Sequence, residues 1–331
     1  MEEFSDVSEY DDPLRDELSA LNDRVMRVKR EIAKAVVGQD TTVELMLAAI
    51  FTGGHVLLEG VPGIAKTLTA KLMARTLSAA FSRIQFTPDL MPTDVTGTSV
   101  FNLKTSEFNF VRGPIFSNVI LIDEINRAPA KTQASLFEVM EEKQVTVDGT
   151  THTMEFPFLV IATQNPIEQE GTYRLPEAQL DRFIFRIKLQ YPTREQEAEI
   201  LRKYQNDFSM KVADDVVSVI SKAELIETRA LIEKVHIKED IVQYIATLVD
   251  RTRNNGDIAL GASPRASLSL LRASKAIAAI NGRDFVTPDD VRFVAYPVLN
   301  HRIILTAERE MEGAEAEDVI REITEGIEVP R

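Results

Sequence analysis

The stretch "HVLLEGVPGIAKT", residues 55–67, sets an apolar run against a glycine-rich turn and a lysine–threonine pair. The run "HVLLE" reads as a buried strand, and "TLTAKLMARTL" (67–77) reads as the helix that follows. A strand, a glycine-rich loop and a helix aim main-chain N–H groups and the positive end of a helix dipole at an anion. The loop is Gly60, Val61, Pro62, Gly63, Ile64 and Ala65, and Lys66, Thr67 and Leu68 open the helix. In the phosphate-loop pattern G-x-x-x-x-G-K-[ST], the lysine reaches the β- and γ-phosphates and the hydroxyl ligates Mg²⁺. Gly60 and Gly63 permit tight turns and close backbone approach. Ala65 stands where the pattern has its second glycine. The expectation is that the backbone there is already helical, so that a methyl fits.

Further apolar runs follow at "SRIQFT" (82–87), "NVILIDE" (118–124), "PFLVIATQN" (157–165) and "FIFRIKL" (183–189). Helical stretches such as "ASLFEVMEEK" separate them, and strands alternating with helices imply a parallel α/β sheet. Ligands in such sheets sit beyond the carboxyl ends of the strands. Asp123 and Glu124 end one strand there. Asp123 can hold Mg²⁺, directly or through water, and Glu124 can polarise an attacking water as general base. Asn165 ends another strand and can hydrogen-bond the γ-phosphate or the attacking water. Alone, an acidic strand end or an Asn before Pro is ordinary turn chemistry. Together with the glycine-rich loop they describe a P-loop ATPase.

Two inserts interrupt the alternation. "DVTGTSVFNLKTSEFNFVRGPIF" has period-two stretches flanking "KTSE", and "QVTVDGTTHTMEF" carries "DGT" as a hairpin tip. Residues 1–13 hold six acids and no base, the composition of a disordered tail. Leu14, Leu18, Leu21, Val25, Val28 and Ile32 then recur at helical spacing. After "YPTREQEAEIL" strand signals vanish and helical ones continue to the end, so a boundary falls near Tyr191-Pro192. The expected domains are an α/β unit over 14–191 and an all-α unit over 192–331.

Composition narrows the function. The chain has 331 residues, 44 % of them apolar, enough for a sizeable core and about two domains. No cysteine is present, which removes disulfides and thiolate metal sites. The four histidines are scattered without ligand spacing. Neither a signal peptide nor a membrane-length apolar run is visible, and the simplest expectation is a cytoplasmic protein. The net charge of −14 weighs against nonspecific nucleic-acid binding, which runs on Lys/Arg contacts to phosphate.

"VVGQD", "LLEGVPGIAKT", "LIDEINRAPAKTQASLFEVMEEKQVTVDG", "IATQNPIEQEGTYRLPEAQLDRF" and "GASPRA" together resemble the AAA+ ATPases, and more closely their MoxR family. The resemblance spans about residues 20 to 305. It implies an AAA+ P-loop core with a five-stranded parallel sheet and a C-terminal helical lid. It also implies ATP and Mg²⁺ as cofactors and assembly into a homo-oligomeric, hexameric ring. The family's loop resembles G-x-P-G-x-A-K-T, so the alanine is expected. By the same resemblance, Val37, Gly38 and Gln39 line the adenine site, Asn165 is sensor 1, and Arg265 is sensor 2 reaching the γ-phosphate. Arg182 is the leading candidate for the arginine given to a neighbour's site, with Arg174 and Arg127 as weaker ones. The inserts resemble the helix-2 insert (about 93–115) and the pre-sensor-1 hairpin (about 143–156) with which relatives touch client proteins. The family implies chaperone-like maturation of client enzymes, often by metal insertion, beside von Willebrand factor A domain partners. A magnesium- or cobalt-chelatase subunit and a nucleic-acid motor are the alternatives. "EINRAPAKTQ" fits MoxR better than the first, and the charge opposes the second.

Overall fold

Leu18, Leu21, Val25, Val28 and Ile32 are all buried along α1 (Pro13–Ala33) in the computed structural model, which describes residues 13–165, 171–173, 175–207 and 211–330. Residues 1–12 of the acidic segment lie outside the described residues. α2 (Asp40–Thr52) is apolar around most of its girth, as a buried helix must be. It closes at Gly53, whose φ of 68° makes a left-handed cap.

The α/β part then runs in chain order. β1 (Val56–Glu59) and α3 (Lys66–Thr76) flank the glycine-rich loop. β2 (Phe81–Gln85) leads to the short α4 (Pro92–Thr96) and a first hairpin, β3 (Gly97–Asn102) with β4 (Glu107–Arg112). β5 (Val119–Asp123), α5 (Ala130–Glu142) and a second hairpin, β6 (Gln144–Val147) with β7 (Thr150–Thr153), come next. Both hairpins fall inside the predicted inserts. The second turns at Asp148 and Gly149, both at positive φ, the geometry that favours Asp-Gly. β8 (Leu159–Gln164), α6 (Glu177–Leu180) and β9 (Phe185–Lys188) complete this part.

The main sheet has the order β2-β5-β8-β1-β9, with every pairing parallel. Each strand is one to three residues shorter than its apolar run, the usual fraying of strand ends. Val56 and Leu58, Val119 and Leu121, and Leu159 and Ile161 face one apolar cluster. Leu57, Ile120, Ile122, Val160 and Ala162 face another. Period-two alternation thus buries both sheet faces, as parallel sheets require.

Helices dominate the remainder: α7 (Arg194–Tyr204), α8 (Lys222–Lys234) and α9 (Glu239–Arg253). A short β10 (Ile258–Leu260) precedes α10 (Pro264–Ile280) and α11 (Pro288–Leu299). β11 (Ile304–Leu305), α12 (Ala307–Met311) and α13 (Ala316–Glu325) end the chain. Capping boxes at Thr193/Gln196, Ser221/Glu224 and Thr287/Asp290 set the starts of α7, α8 and α11. The β10–β11 ladder corrects the expectation that strands stop near 191. Strands of two and three residues are too short for periodicity to reveal. α10 packs on α1, α2, α8 and α9. One apolar cluster therefore joins the first two helices, one sheet face and the C-terminal helices. Among the described residues no helix is long and apolar enough to cross a membrane.

Candidate nucleotide site at the carboxyl edge of the sheet

β8 lies between β1 and β5, so the ends of these three strands stand side by side. The glycine-rich loop leaves β1, Asp123 and Glu124 end β5, and Gln164 and Asn165 end β8. Glu59 pairs with Gln164, and the Gly60 N–H donates to the Gln164 carbonyl at 3.3 Å. The sheet therefore sets the loop, the two carboxylates and the buried Asn165 along one edge.

The loop is braced from within. Lys66 Nζ donates to the Gly60 carbonyl at 2.7 Å, folding the lysine back over the turn. Gly63 has φ +88°, and a Cβ on Gly60 would stand 2.5 Å from Ile64 Cδ1, so both glycines answer a steric demand. Ala65 departs from expectation. Its φ of 60° and ψ of 22° place it in the left-handed region, as the N-cap of α3 and not within its right-handed turn. The glycine pattern exists because an L-residue there costs about 1–2 kcal/mol. Alanine, with the smallest side chain, bears that cost here. Past Ala65, the first turn of α3 presents N–H groups that have no intrahelical partners. Thr67 and Leu68 lie in that turn, each half-buried.

Gln39 supplies a brace that sequence reasoning missed. Its Nε2 donates to the Ile64 carbonyl at 2.7 Å, and its Oε1 accepts from Thr69 Oγ1 at 2.9 Å. The Val37–Gly38–Gln39 segment is thereby tied to the loop. These residues line a cavity of about 210 Å³ with Val36, Val43 and Gln196 of α7. Gly38, at φ +76°, lies directly under the Gln196 side chain.

Asp123 is buried. Its Oδ2 accepts from Arg83 Nε at 2.6 Å and its Oδ1 from Thr163 Oγ1 at 3.2 Å. The same Thr163 oxygen accepts the Glu124 N–H at 3.0 Å. Glu124 sits at φ +59°, and its Oε2 accepts from Gln85 Nε2 at 2.9 Å and lies 2.9 Å from Arg127 Nε. Arg83, Gln85 and Thr163 come from strands flanking β5 or from the same strand end, and no local motif marks the first two. Among the described residues no cluster of three metal-binding side chains exists. Mg²⁺ needs no such cage, because one or two carboxylates with phosphate and water oxygens suffice. The hard oxygens of Asp123 and Thr67 fit that requirement.

The two arginines implied by resemblance lie elsewhere. Arg182 precedes β9, where the Ile184 N–H donates to the His55 carbonyl just before β1. This is the amino edge of the sheet. The four residues of β1 separate it from the loop by about 13 Å. Arg182 Nη1 donates to the Phe137 carbonyl at 2.5 Å and lies 3.7 Å from Glu141 Oε2. Its buried Nε has no hydrogen-bond partner. Arg265, exposed in the first turn of α10, donates from Nη2 to Glu141 Oε1 at 2.9 Å. Both arginines thus meet one carboxylate on the far side of their own loop. Arg127 is held beside Glu124 at the carboxyl edge, and Arg174 lies outside the described residues.

His55 anchors the amino edge. Its Nδ1 accepts the Val160 N–H at 3.1 Å, and its Nε2 donates to the Met140 carbonyl at 3.2 Å. These partners select the neutral tautomer with the proton on Nε2. Desolvation, with the Lys143 charge adding to it, lowers its pKa from 6.5 to about 4 against the opposing Met140 bond. A cavity of about 770 Å³ lies away from the nucleotide site, between the two hairpins, with Phe108, Glu138, Val147 and Asp148 among its walls. Phosphate sites lie on open sheet edges, so cavity size does not locate this one.

Comparison with known proteins agrees with this geometry. The model of the ATPase family associated with various cellular activities (AAA) matches residues 55–185, and that of the AAA lid domain matches residues 250–323. The chain is therefore an AAA-class ATPase. The uncharacterized protein YeaC of Bacillus subtilis is 44 % identical, covering 90 % of this chain and 92 % of its own. Chaperone MoxR1 of Mycobacterium tuberculosis is 43 % identical, covering 91 % and 81 %. The crystal structure of a Cytophaga hutchinsonii protein assigned as an ATPase superposes with a TM-score of 0.88 at 45 % identity, covering 96 % of this chain and 98 % of that one. The chain belongs to the MoxR family of AAA+ ATPases.

Proposed function

We propose that the protein hydrolyses ATP with Mg²⁺ in a hexameric ring and couples turnover to chaperone-like remodelling of a client protein. The observation that carries this reading is the division of charged groups between two sheet edges. The loop, Asp123, Glu124 and Asn165 share the carboxyl edge, whereas Arg182 and Arg265 share Glu141 at the opposite edge. Arginines at the sheet edge opposite their own loop suit a neighbouring subunit's γ-phosphate, which calls for head-to-tail contacts.

In this reading Val37, Gly38 and Gln39 bound the adenine pocket. Main-chain N–H groups of Gly60 to Leu68 and the Lys66 ammonium grip the phosphates. Thr67 and Asp123 hold Mg²⁺, which when bound neutralises phosphate charge as a Lewis acid. Glu124 takes the proton of the attacking water once it leaves Gln85 and Arg127, and Asn165 orients that water. The neighbour's Arg182 and Arg265 offset charge in the transition state.

The first hairpin supports the coupling. Phe101, Leu103, Phe108 and Val111 are exposed on it, and its Ser99 bonds Asp148 at the tip of the second hairpin. Exposed apolar groups on a strand pair suit contact with client protein. The kinship with chaperone MoxR1 supports action on a client protein; in the proposed reading that client is an enzyme, matured by metal insertion beside a von Willebrand factor A domain partner. Turnover should depend on Mg²⁺ and disappear in Lys66→Ala. The Glu124→Gln protein should retain ATP and hold its client through affinity capture. Wild-type turnover in Glu124→Gln would remove the general-base assignment.

A further inference from the structure

The lid reaches the segment around Arg182 through one buried side chain. The side chain of Arg302, just beyond α11, is 2 % exposed. Its Nε donates to Asp181 Oδ1 at 2.6 Å, and its Nη2 donates to the carbonyls of Asp181 at 3.0 Å and Phe183 at 2.7 Å. Nη1 donates to the carbonyls of Ile184 at 3.3 Å and Val298 at 2.5 Å. The guanidinium therefore grips the backbone on both sides of Arg182. The neighbouring His301 adds an Nε2 bond to the Phe183 carbonyl at 2.9 Å.

The same pair holds the helix that carries Arg265. Ser263 Oγ donates to Asp181 Oδ2 at 3.0 Å, and Ser269 Oγ accepts from Arg302 Nη2 at 3.3 Å. Arg265 lies between these two serines on α10. Glu141 meets both arginines on the exposed side, while Asp181 and Arg302 tie both supporting segments together behind them. A lysine could not replace this arrangement, because its three donors radiate from a single atom.

We propose that the Asp181–Arg302 pair positions Arg182 and Arg265 as one unit for a neighbouring subunit's nucleotide. Movement of the lid then moves both arginines together, and neither Asp181 nor Arg302 touches ATP. The proposal rests on the reading of Arg182 and Arg265 as groups given to the neighbour.

The pair serves a neighbour's site, so its loss should be rescued by a neighbour. Arg302→Lys protein should bind ADP with wild-type affinity, since its own loop is intact, yet lose ATP turnover by about 10²-fold, the effect of a roughly 1 Å misplacement. Mixing it with Lys66→Ala protein, which has sound arginines and a dead loop, should restore turnover above the sum of the parts. Removing a partner from a buried ion pair can unfold a protein. Ser263→Ala/Ser269→Ala is therefore the second variant, because it cuts α10 from the pair and leaves the charges matched. It should lose turnover by about tenfold, a milder form of the same misplacement, and be rescued in the same mixture. Arg182→Ala with Lys66→Ala is the reference. Rescue of the reference without rescue of either variant overturns the positioning role alone. Failure of the reference overturns the neighbour reading and the proposal with it.

Discussion

The two edges of one sheet make an instructive comparison. The carboxyl edge is held by bonds within the α/β part: Lys66 to Gly60, Gln39 to Ile64, and Thr163 to Asp123 and Glu124. Its loop, carboxylates and Asn165 sit at the ends of adjacent strands. The amino edge is assembled from distant parts of the chain. Glu141, Asp181 and Arg182 come from the α/β part, and Ser263, Arg265 and Arg302 join them from the helical part. On the proposed reading, one edge binds the nucleotide and the other displays charge outward. A chain built this way, on that reading, divides catalysis between copies.

The comparison breaks first at the arginines. Arg182→Ala should lower turnover by about 10³-fold or more, the range for an arginine finger, and leave ADP affinity unchanged. Turnover and ADP titrations on the same sample check both halves, and equal loss of both would place Arg182 at its own site. Glu124→Gln should reduce turnover by about 10²–10⁴-fold, the contribution of a general base, while ATP remains bound. Filter binding of labelled ATP beside a phosphate-release assay separates these effects.

A smaller effect concerns the stability of the amino edge. His55 has a folded pKa of about 4 against 6.5 for the free side chain. Its folded pKa is depressed, and the unfolded chain binds more protons between those values. Its contribution is therefore present above pH 6.5 and fades as pH falls toward 4. The loss at pH 5 is about 2 kcal/mol from His55. Burial shifts His301 in the same direction. Thermal midpoints across pH 7 to 5 should fall, and His55→Gln should flatten the slope.

The smallest expected effect is at Ala65. Ala65→Gly removes left-handed strain but adds chain entropy to the unfolded state, for a net gain below about 1 kcal/mol. Ala65→Val should destabilise instead, because a branched side chain tolerates that backbone less well. Denaturant midpoints of the two variants read the sign directly.

What could be read in the sequence follows the same division. The loop, Asp123-Glu124 and Asn165 each end an apolar run, so strand order alone brings them together. The two hairpins were visible from period-two patterning around a turn. Ala65 falls in the expected loop but in a left-handed backbone, because composition cannot report the sign of φ. Arg182 and Arg265 were visible as residues, while their shared partner Glu141 was hidden in an ordinary charged helix. Arg302, in "LNHRI", carries no pattern, since its role comes from long-range burial against Asp181.

The most direct test of the divided site is a mixture of two inactive proteins. Lys66→Ala cannot grip the phosphates, and Arg182→Ala cannot assist its neighbour. Mixed one to one, they should recover ATP hydrolysis at roughly one site in four of a randomly assembled head-to-tail ring. A mixture no more active than its two components added together would contradict the account.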